Sequence, residues 1–392
     1  MKGDLTVRLY PKDVALTTLE ADITADVFNL RFTTQLNGGY GECTFHYAGG
    51  SDKAWQWYDR FARWKRVQVR EPAWEVNGLG YRPAYVWEGQ VEDVELILGG
   101  VNVTALGYWA TAWYDPHMDL AAAPPAPYTY NANETAEDII KDVLTRSCPL
   151  IAADQTHVDD PGLVIATAAD PLSWGDTYPG DIVLEIARHG DAANDHRWWF
   201  AVWEDRIPWF KEEAVSAVTW NARLSDFAPM GFSLRKGPRD FASQVYALYL
   251  AAGVLTRTNL ASDADVEGDQ RQKTYVVSNL GEVDSGVATQ RRDTELAWRK
   301  SIHPQGRFTL DGLVYDAYWN PRPLWRVRAG DVIRIADLVP DSAGLSAVTL
   351  DRLRTFFVRR TQYDFDHHTL TIDPDVLTPS LAMQLVKEGL GK

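Results

Sequence analysis

Several groups of residues in this 392-residue chain carry the side chains that metal binding, acid–base catalysis or ring stacking would need. Asp154, His157, Asp159 and Asp160 put four metal-type ligands within seven positions, and His189, Asp191, Asp195 and His196 form a similar set between a helix pattern and a hairpin pattern. Any acidic loop can contain such a set, and Pro161-Gly162 marks the first as a turn. His367-His368 follows Asp366 at a strand turn and reads as exposed polar sequence. Glu88, Glu92, Asp93 and Glu95 could supply the two facing carboxylates of a glycosidase, roughly 5–10 Å apart. Acidic residues on alternating strands more often face water.

Other chemistries lack their patterns. There is no His-Glu-x-x-His zinc pattern, no Gly-x-Ser-x-Gly elbow, no phosphate loop ending in Gly-Lys-Ser/Thr and no Gly-x-Gly-x-x-Gly opening a helix. Cys43 and Cys148 are far apart, without metal-ligand spacing, and read as buried thiols. The sequence predicts no catalytic, cofactor-binding or metal-ligating residue, and hence no enzyme.

The sixteen tryptophans are the stronger anomaly. They fall in close sets: Trp55 and Trp57, Trp109 and Trp113, Trp198, Trp199 and Trp203, Trp319 and Trp325. Adjacent Trp198 and Trp199 on one strand point to opposite faces, so both faces of that strand need cover. Core packing, contact with a domain or subunit, and sugar stacking all use tryptophan; contact surfaces are the favoured reading.

The elements that must position these residues are mostly strands. Residues 1–112 alternate, with Asn37-Gly38-Gly39-Tyr40-Gly41 marking a tight turn or bulge. One helix is predicted over Lys53–Arg66, with Trp55, Tyr58, Ala62 and Lys65 near one face and Phe61 beside them, the pattern of a helix packed on a sheet. Arg60, Arg63, Lys65, Arg66 and Arg70 form either a solvated face or a patch for phosphate or an acidic partner. Ala121–Pro127 is the clearest linker. Helices are predicted at Glu134–Arg146, capped by Asn133 or Thr135, at Asp181–His189, stopped by Gly190, and at Asp284–Lys300. Arg197–Trp203 and Ile207–Phe210 read as a hairpin, Gly231–Leu234 and Val245–Ala252 as strands, Ala261–Lys273 as an exposed loop and Ser380–Gly389 as a short helix.

Composition narrows the class. Hydrophobic content of 45% supports large cores and argues against disorder. Lys plus Arg number 39 against 54 Asp plus Glu, giving a net charge of −15. That sign argues against a protein that coats nucleic acid and is compatible with a passage to which nucleic acid does not stick. No signal peptide is expected from the first residues. The uncharged stretch Leu96–Trp113 alternates like strands and not like a membrane helix.

One strand pattern occurs twice, about 250 residues apart. Val67–Arg70 leads through a loop to Tyr85–Glu95 and then Leu96–Leu98; Asp331–Ile335 leads through a loop to Phe356–Phe365 and then Thr369–Ile372. The expected fold is mainly β with α+β: two related β-barrel, tube-like modules, a helix-bearing α+β domain and a smaller inserted domain. The expected boundaries are 1–114 for the first module, 115–228 for the α+β domain, 229–254 and 311–378 for the second module, 255–310 for the insertion and 379–392 for a tail.

This order resembles the hub proteins of phage tail tips and baseplates, which include the central hub of contractile baseplates, the N-terminal part of siphophage tail-associated proteins and the base of type VI secretion spikes. Pieces similar to minor tail proteins are Trp87-Glu88-Gly89-Gln90-Val91 leading to Leu106-Gly107-Tyr108, Ala136-Glu137-Asp138-Ile139-Ile140, Phe200–Arg206, Ala222-Arg223-Leu224 and Gly330–Ile335. The resemblance implies a homotrimer in which six barrels alternate around a three-fold axis and adapt a six-fold tail tube to a three-fold tip. It implies a place in the virion, at the tail tip, after assembly in the host cytoplasm. The implied partners are distal tail or tail tube proteins, the tape measure protein and tip or fibre proteins. Genomic DNA would pass through the lumen without specific binding, and the host envelope would be met only indirectly. The chain departs from tail-associated members in showing no long C-terminal extension, which argues against receptor-binding, peptidase or muramidase roles. The alternative is a carbohydrate-binding or glycan-degrading tail-associated enzyme that stacks sugars on tryptophan and uses Glu88 and Asp93 as acid and base.

Overall fold

The computed structural model describes residues 5–12, 18–49, 53–62, 64–71, 85–119, 126–167, 171–174, 177–191, 197–213, 218–236, 241–269, 271–278, 280–281, 283–300, 304–344 and 347–376. The first module contains β1 (Thr6–Tyr10), β2 (Ala21–Asp22), β3 (Val27–Gln35), β4 (Gly38–Tyr47), α1 (Ala54–Phe61), β5 (Arg66–Arg70), β6 (Tyr85–Ile97) and β7 (Gly100–Leu106). Alternation decides the faces: Val101, Val103 and Ala105 of β7 are buried, and Asn102 and Thr104 between them are only partly so. Helix α1 ends at Phe61, well before the predicted Arg66. Arg66 and Val67 are claimed instead by pairing with β1 and β6, so the sheet overrides local helix propensity. The predicted return strand Leu96–Leu98 is also redrawn. β6 runs unbroken to Ile97, Leu98 and Gly99 make a two-residue turn with Gly99 at φ 95°, and the return strand is β7.

The middle region holds α2 (Ala136–Ser147), α3 (Pro179–His189) and a hairpin of β8 (Trp198–Val202) and β9 (Pro208–Glu212). Thr135 caps α2 in a reciprocal capping box with Asp138, and Ile139, Ile140, Val143 and Leu144 are buried. Helix α3 stops at Gly190, φ 78°. These two helices pack with Phe200 and Phe210 of the hairpin into one apolar cluster.

The chain then enters the second module through β10 (Trp220–Ala222) and β11 (Phe227–Lys236). A separate small sheet follows, with β12 (Gln244–Ala251), β13 (Val254–Arg257) and β14 (Thr274–Val277), covered by α4 (Ser285–Arg299). The strand expected at Val245–Ala252 in the second module belongs to this insertion, because Val245, Ala247 and Tyr249 form its core with Val287 and Ala288. Ala261–Lys273, expected as a loop, contains a two-residue strand and the short helix Ala264–Asp269, anchored by buried Val266. The module resumes with β15 (Pro304–Asp311), β16 (Leu313–Asp316), β17 (Val332–Ile335), α5 (Ala347–Arg354), β18 (Thr355–Asp364) and β19 (Thr369–Val376). The predicted helix Ser380–Gly389 lies outside the described residues.

The protein is mainly β, as expected. In the first module the sheet path is β5–β6–β7–β4–β3. In the second it is β17–β18–β19–β15–β11. Every step in both paths is antiparallel, and both modules reach β3 or β11 through a short strand and a 3₁₀ turn ending in aspartate, Asp26 or Asp226. Both long strands carry a bulge after a matched valine, Val91 in β6 and Val358 in β18. The modules differ at one edge: β1 intervenes between β2 and β5, whereas β10 pairs directly and in parallel with β17. One continuous apolar core runs through both, from Leu9, Val67 and Trp87 to Ile333, Val358 and Ile372.

Candidate functional site at the module seam

The two modules meet as strands. β3 lies antiparallel to the second half of β18, in the register Arg31↔Asp364, Phe32↔Tyr363, Thr33↔Gln362, Thr34↔Thr361 and Gln35↔Arg360. Leu36 N–H donates to the Arg359 carbonyl at 2.8 Å, and Phe365 N–H to the Leu30 carbonyl at 2.9 Å. The Phe32 and Tyr363 rings are 5.3 Å apart, with Trp325 edge-on to Tyr363 at 5.7 Å. Thr34 and Thr361 hydroxyls are 2.6 Å apart, and Thr34 Oγ1 also accepts from Ala329 N–H at 2.8 Å. The two hydroxyls share one hydrogen bond that either can donate, so Thr34 links Thr361 to the Ala329 N–H.

Charged groups clamp the ends. Arg31 donates to Asp364 at 2.8 Å, and Asp366 accepts the backbone N–H of Asn29 at 2.8 Å. Burial raises the Asp364 carboxyl, but hydrogen bonds from His367 and the Arg31 charge outweigh it and hold the group below the usual carboxylate range. Arg326 grips Glu71 with two bonds of 2.9 and 3.0 Å, both side chains being largely out of water. His367 itself is exposed beside Asp364, whereas His368 stands 3.4 Å from the Tyr363 hydroxyl. The expectation of exposed polar sequence at His367-His368 therefore holds for His367, while His368 is half-buried.

A second junction ties the middle region to both modules. β8 runs parallel to the start of β4, pairing Ala201 with Gly38 and Val202 with Gly39. Trp198 and Trp199 point to opposite faces, as alternation requires: Trp198 joins the core of the middle region, and Trp199 packs on the core shared by the modules. Both faces are thus covered within the chain. Trp203 is 1% exposed, with the Arg328 guanidinium 4.6 Å from its ring centre and ion-paired to Glu204. Asp331 accepts from Trp220 Nε1 at 2.7 Å and from the Arg328 N–H at 2.9 Å. Trp199, Trp203, Trp209, Lys211, Arg328 and Phe357 line part of a cleft of about 400 Å³ here.

The four carboxylates of β6 do not share a cleft. Glu88 is fully buried, and its Oε2 accepts from the Asp205 N–H at 3.1 Å. Burial pushes it up to about 7, Asp205 adds to the rise, and Arg206 and Arg66 oppose it. Asp93 is exposed, Glu92 accepts from the Tyr114 hydroxyl at 2.6 Å, and Glu95 from Asn102 at 2.9 Å.

The proposed metal sets are likewise dispersed. Asp159 pairs with Lys211 at 2.6 Å, Asp154 and Asp160 accept backbone N–H groups within their own turns, and His157 stacks on Trp209 at 4.3 Å. His189 is buried and its imidazole is pushed down to about 3 by desolvation and by Arg291, while Asp191 accepts from Trp198. Asp195 and His196 lie outside the described residues. Among the described residues no three His, Cys, Asp or Glu side chains are grouped as a metal ion would need. Arg60 and Lys65 both pair with Glu20, at 2.6 and 2.7 Å, and Arg66 is buried; Arg63 lies outside the described residues. Trp55 is exposed and stacks on Tyr58, while Trp57 and Phe61 pack against Tyr47. Cys43 and Cys148 are buried and unpaired. No described helix is long and apolar enough to cross a membrane.

No family model and no curated protein sequence matches the chain. Solved structures do. The 43 kDa tail protein of prophage MuSo2 from Shewanella oneidensis matches 96% of this chain and 99% of its own, with TM-score 0.55 and 12% identity. A tail protein from Neisseria meningitidis matches 97% and 99%, with TM-score 0.58 and 9% identity. Prophage tail protein gp18 from Listeria monocytogenes matches 99% and 100%, with TM-score 0.51 and 10% identity. Over nearly its whole length, this chain has the fold of phage tail proteins.

Proposed function

We propose that this chain is a structural protein of a phage tail, and that three copies close into a hub at the tail tip or baseplate. The observation that carries the reading is the strand path traced twice and joined, β3 to β18, into one sheet. Two modules that already pair side by side within a chain form one third of a six-module ring. Such a ring has pseudo-six-fold symmetry toward a tail tube and true three-fold symmetry toward a tip. Its role is scaffolding: the carboxylates of β6 are separated by burial, and Trp198, Trp199 and Trp203 are taken up by cores and junctions. Tail tube, tape measure and tip or fibre proteins are its proposed neighbours, and the genome passes through the centre without specific contact.

Light scattering with negative-stain imaging of the purified chain tests this. The expected particle has three times the 44.1 kDa chain mass and shows six similar lobes. A compact two-fold dimer, or a single-chain mass at every concentration reached, overturns the reading.

A further inference from the structure

The internal seam has an unfilled counterpart. Registers give the equivalence residue by residue. Val91↔Ala105 matches Val358↔Pro374, and Ile97↔Gly100 matches Asp364↔Thr369. Asp93–Ile97 of β6 therefore correspond to Arg360–Asp364 of β18, the segment that β3 covers. On the other side, Arg31↔Thr44 matches Ser233↔Arg307, and Phe32↔Cys43 matches Leu234↔Gly306. Ser233–Lys236 of β11 therefore correspond to Arg31–Thr34 of β3.

Both counterparts are bare edges among the described residues. Among the described residues, β11 pairs only with β15, and Asp93–Ile97 pair only with β7. Thr361 and Tyr363 are 2% and 1% exposed under the seam, whereas Leu96, the counterpart of Tyr363, is 42% exposed and Val94 is half-buried. Among the described residues, an apolar strip whose twin is covered stands open beside an unpaired strand edge, the condition that draws in another strand.

We infer that, in the proposed ring, β11 of one copy pairs antiparallel with Asp93–Ile97 of the next, in the register of the internal seam. That register sets Ser233 opposite Ile97, Leu234 opposite Leu96, Arg235 opposite Glu95 and Lys236 opposite Val94. In that register Arg235 falls opposite Glu95, on the strand face that also carries Asp93, so opposite charges face each other across the contact as Arg31 and Asp364 do inside the chain. The contact joins two different edges, so it is head-to-tail and propagates around an axis until it closes.

The inference rests on the ring reading, and cysteine cross-linking separates the two. Thr34 and Thr361 oxygens are 2.6 Å apart, so their counterparts Lys236 and Val94 are the pair to bridge. Under mild oxidation, the double variant Val94→Cys, Lys236→Cys is expected to give covalent dimers and trimers on a non-reducing gel. A mixture of the two single variants is expected to give dimers only. Shifting one partner out of register, with Val94→Cys and Leu234→Cys, is expected to abolish the ladder. Charge reversal is the second readout: Glu95→Arg or Arg235→Glu is expected to weaken association about fivefold per contact, and combining them to restore it. A trimer by light scattering without the in-register ladder and without charge rescue overturns this seam and leaves the ring standing. A chain that is monomeric throughout overturns both.

Discussion

At the scale of single residues, burial assigns roles that residue type does not. Thr34 is the only described bridge between Thr361 and Ala329 N–H, so Thr34→Val leaves two buried polar groups unpaired, whereas Thr361→Val removes only one end of a bond. Urea denaturation is expected to show a loss of about 1–3 kcal/mol for the first and a clearly smaller loss for the second. Glu88 makes a different prediction. Its folded-state affinity for a proton exceeds that of the unfolded chain, so between its ordinary value of 4.5 and about 7 the native state holds more protons. Its contribution is therefore fully present below about pH 4.5 and is lost as pH rises to about 7, a swing on the order of 3 kcal/mol. Glu88→Gln keeps an acceptor for Asp205 N–H and removes the proton. The melting temperature of the variant relative to the native chain is expected to rise across that window. A difference that stays flat with pH would place the titration elsewhere. Buried His189 acts in the opposite sense: its folded-state value is depressed, so stability is lost as pH falls from 6.5 toward about 3.

At the scale of elements, the points of failure are caps and close approaches. The reciprocal bonds between Thr135 and Asp138 start α2, and Thr135→Ala is expected to cost about 1 kcal/mol by calorimetry with little change elsewhere. Gly39 is more exacting. It sits at φ 87° where β4 meets β8, and a Cβ there would lie 2.0 Å from the Val202 carbonyl oxygen. Gly39→Ala is expected to cost about 3 kcal/mol or more and to raise proteolysis of the β8–β9 hairpin specifically, because the substitution pries the middle region from the first module.

At the scale of the whole molecule, net charge sets behaviour toward DNA. With −15 per chain, the protein repels a polyanion at long range and lacks the overall positive field that holds one. Filter binding at low salt is expected to retain no duplex DNA; salt-sensitive retention would count against the proposed passage of the genome. What the sequence alone settled was local. Alternation gave the faces of β7, the helical period gave the buried face of α2, glycine marked the turn at Gly38 and Gly39 and the stop at Gly190, and the repeated strand order disclosed two kindred modules. The ends of α1 and β6 and the allegiance of β12 were not legible, because each is decided by the strand or core that competes for it. The seam itself was invisible: Thr34 and Thr361, Glu71 and Arg326, Asn29 and Asp366 are ordinary residues 255 to 337 positions apart. Short-range pattern reports what a segment does with its own neighbours in the chain. Which edge meets which is a matter of shape and hydrogen-bond closure over the folded whole, and only the tertiary structure holds that information.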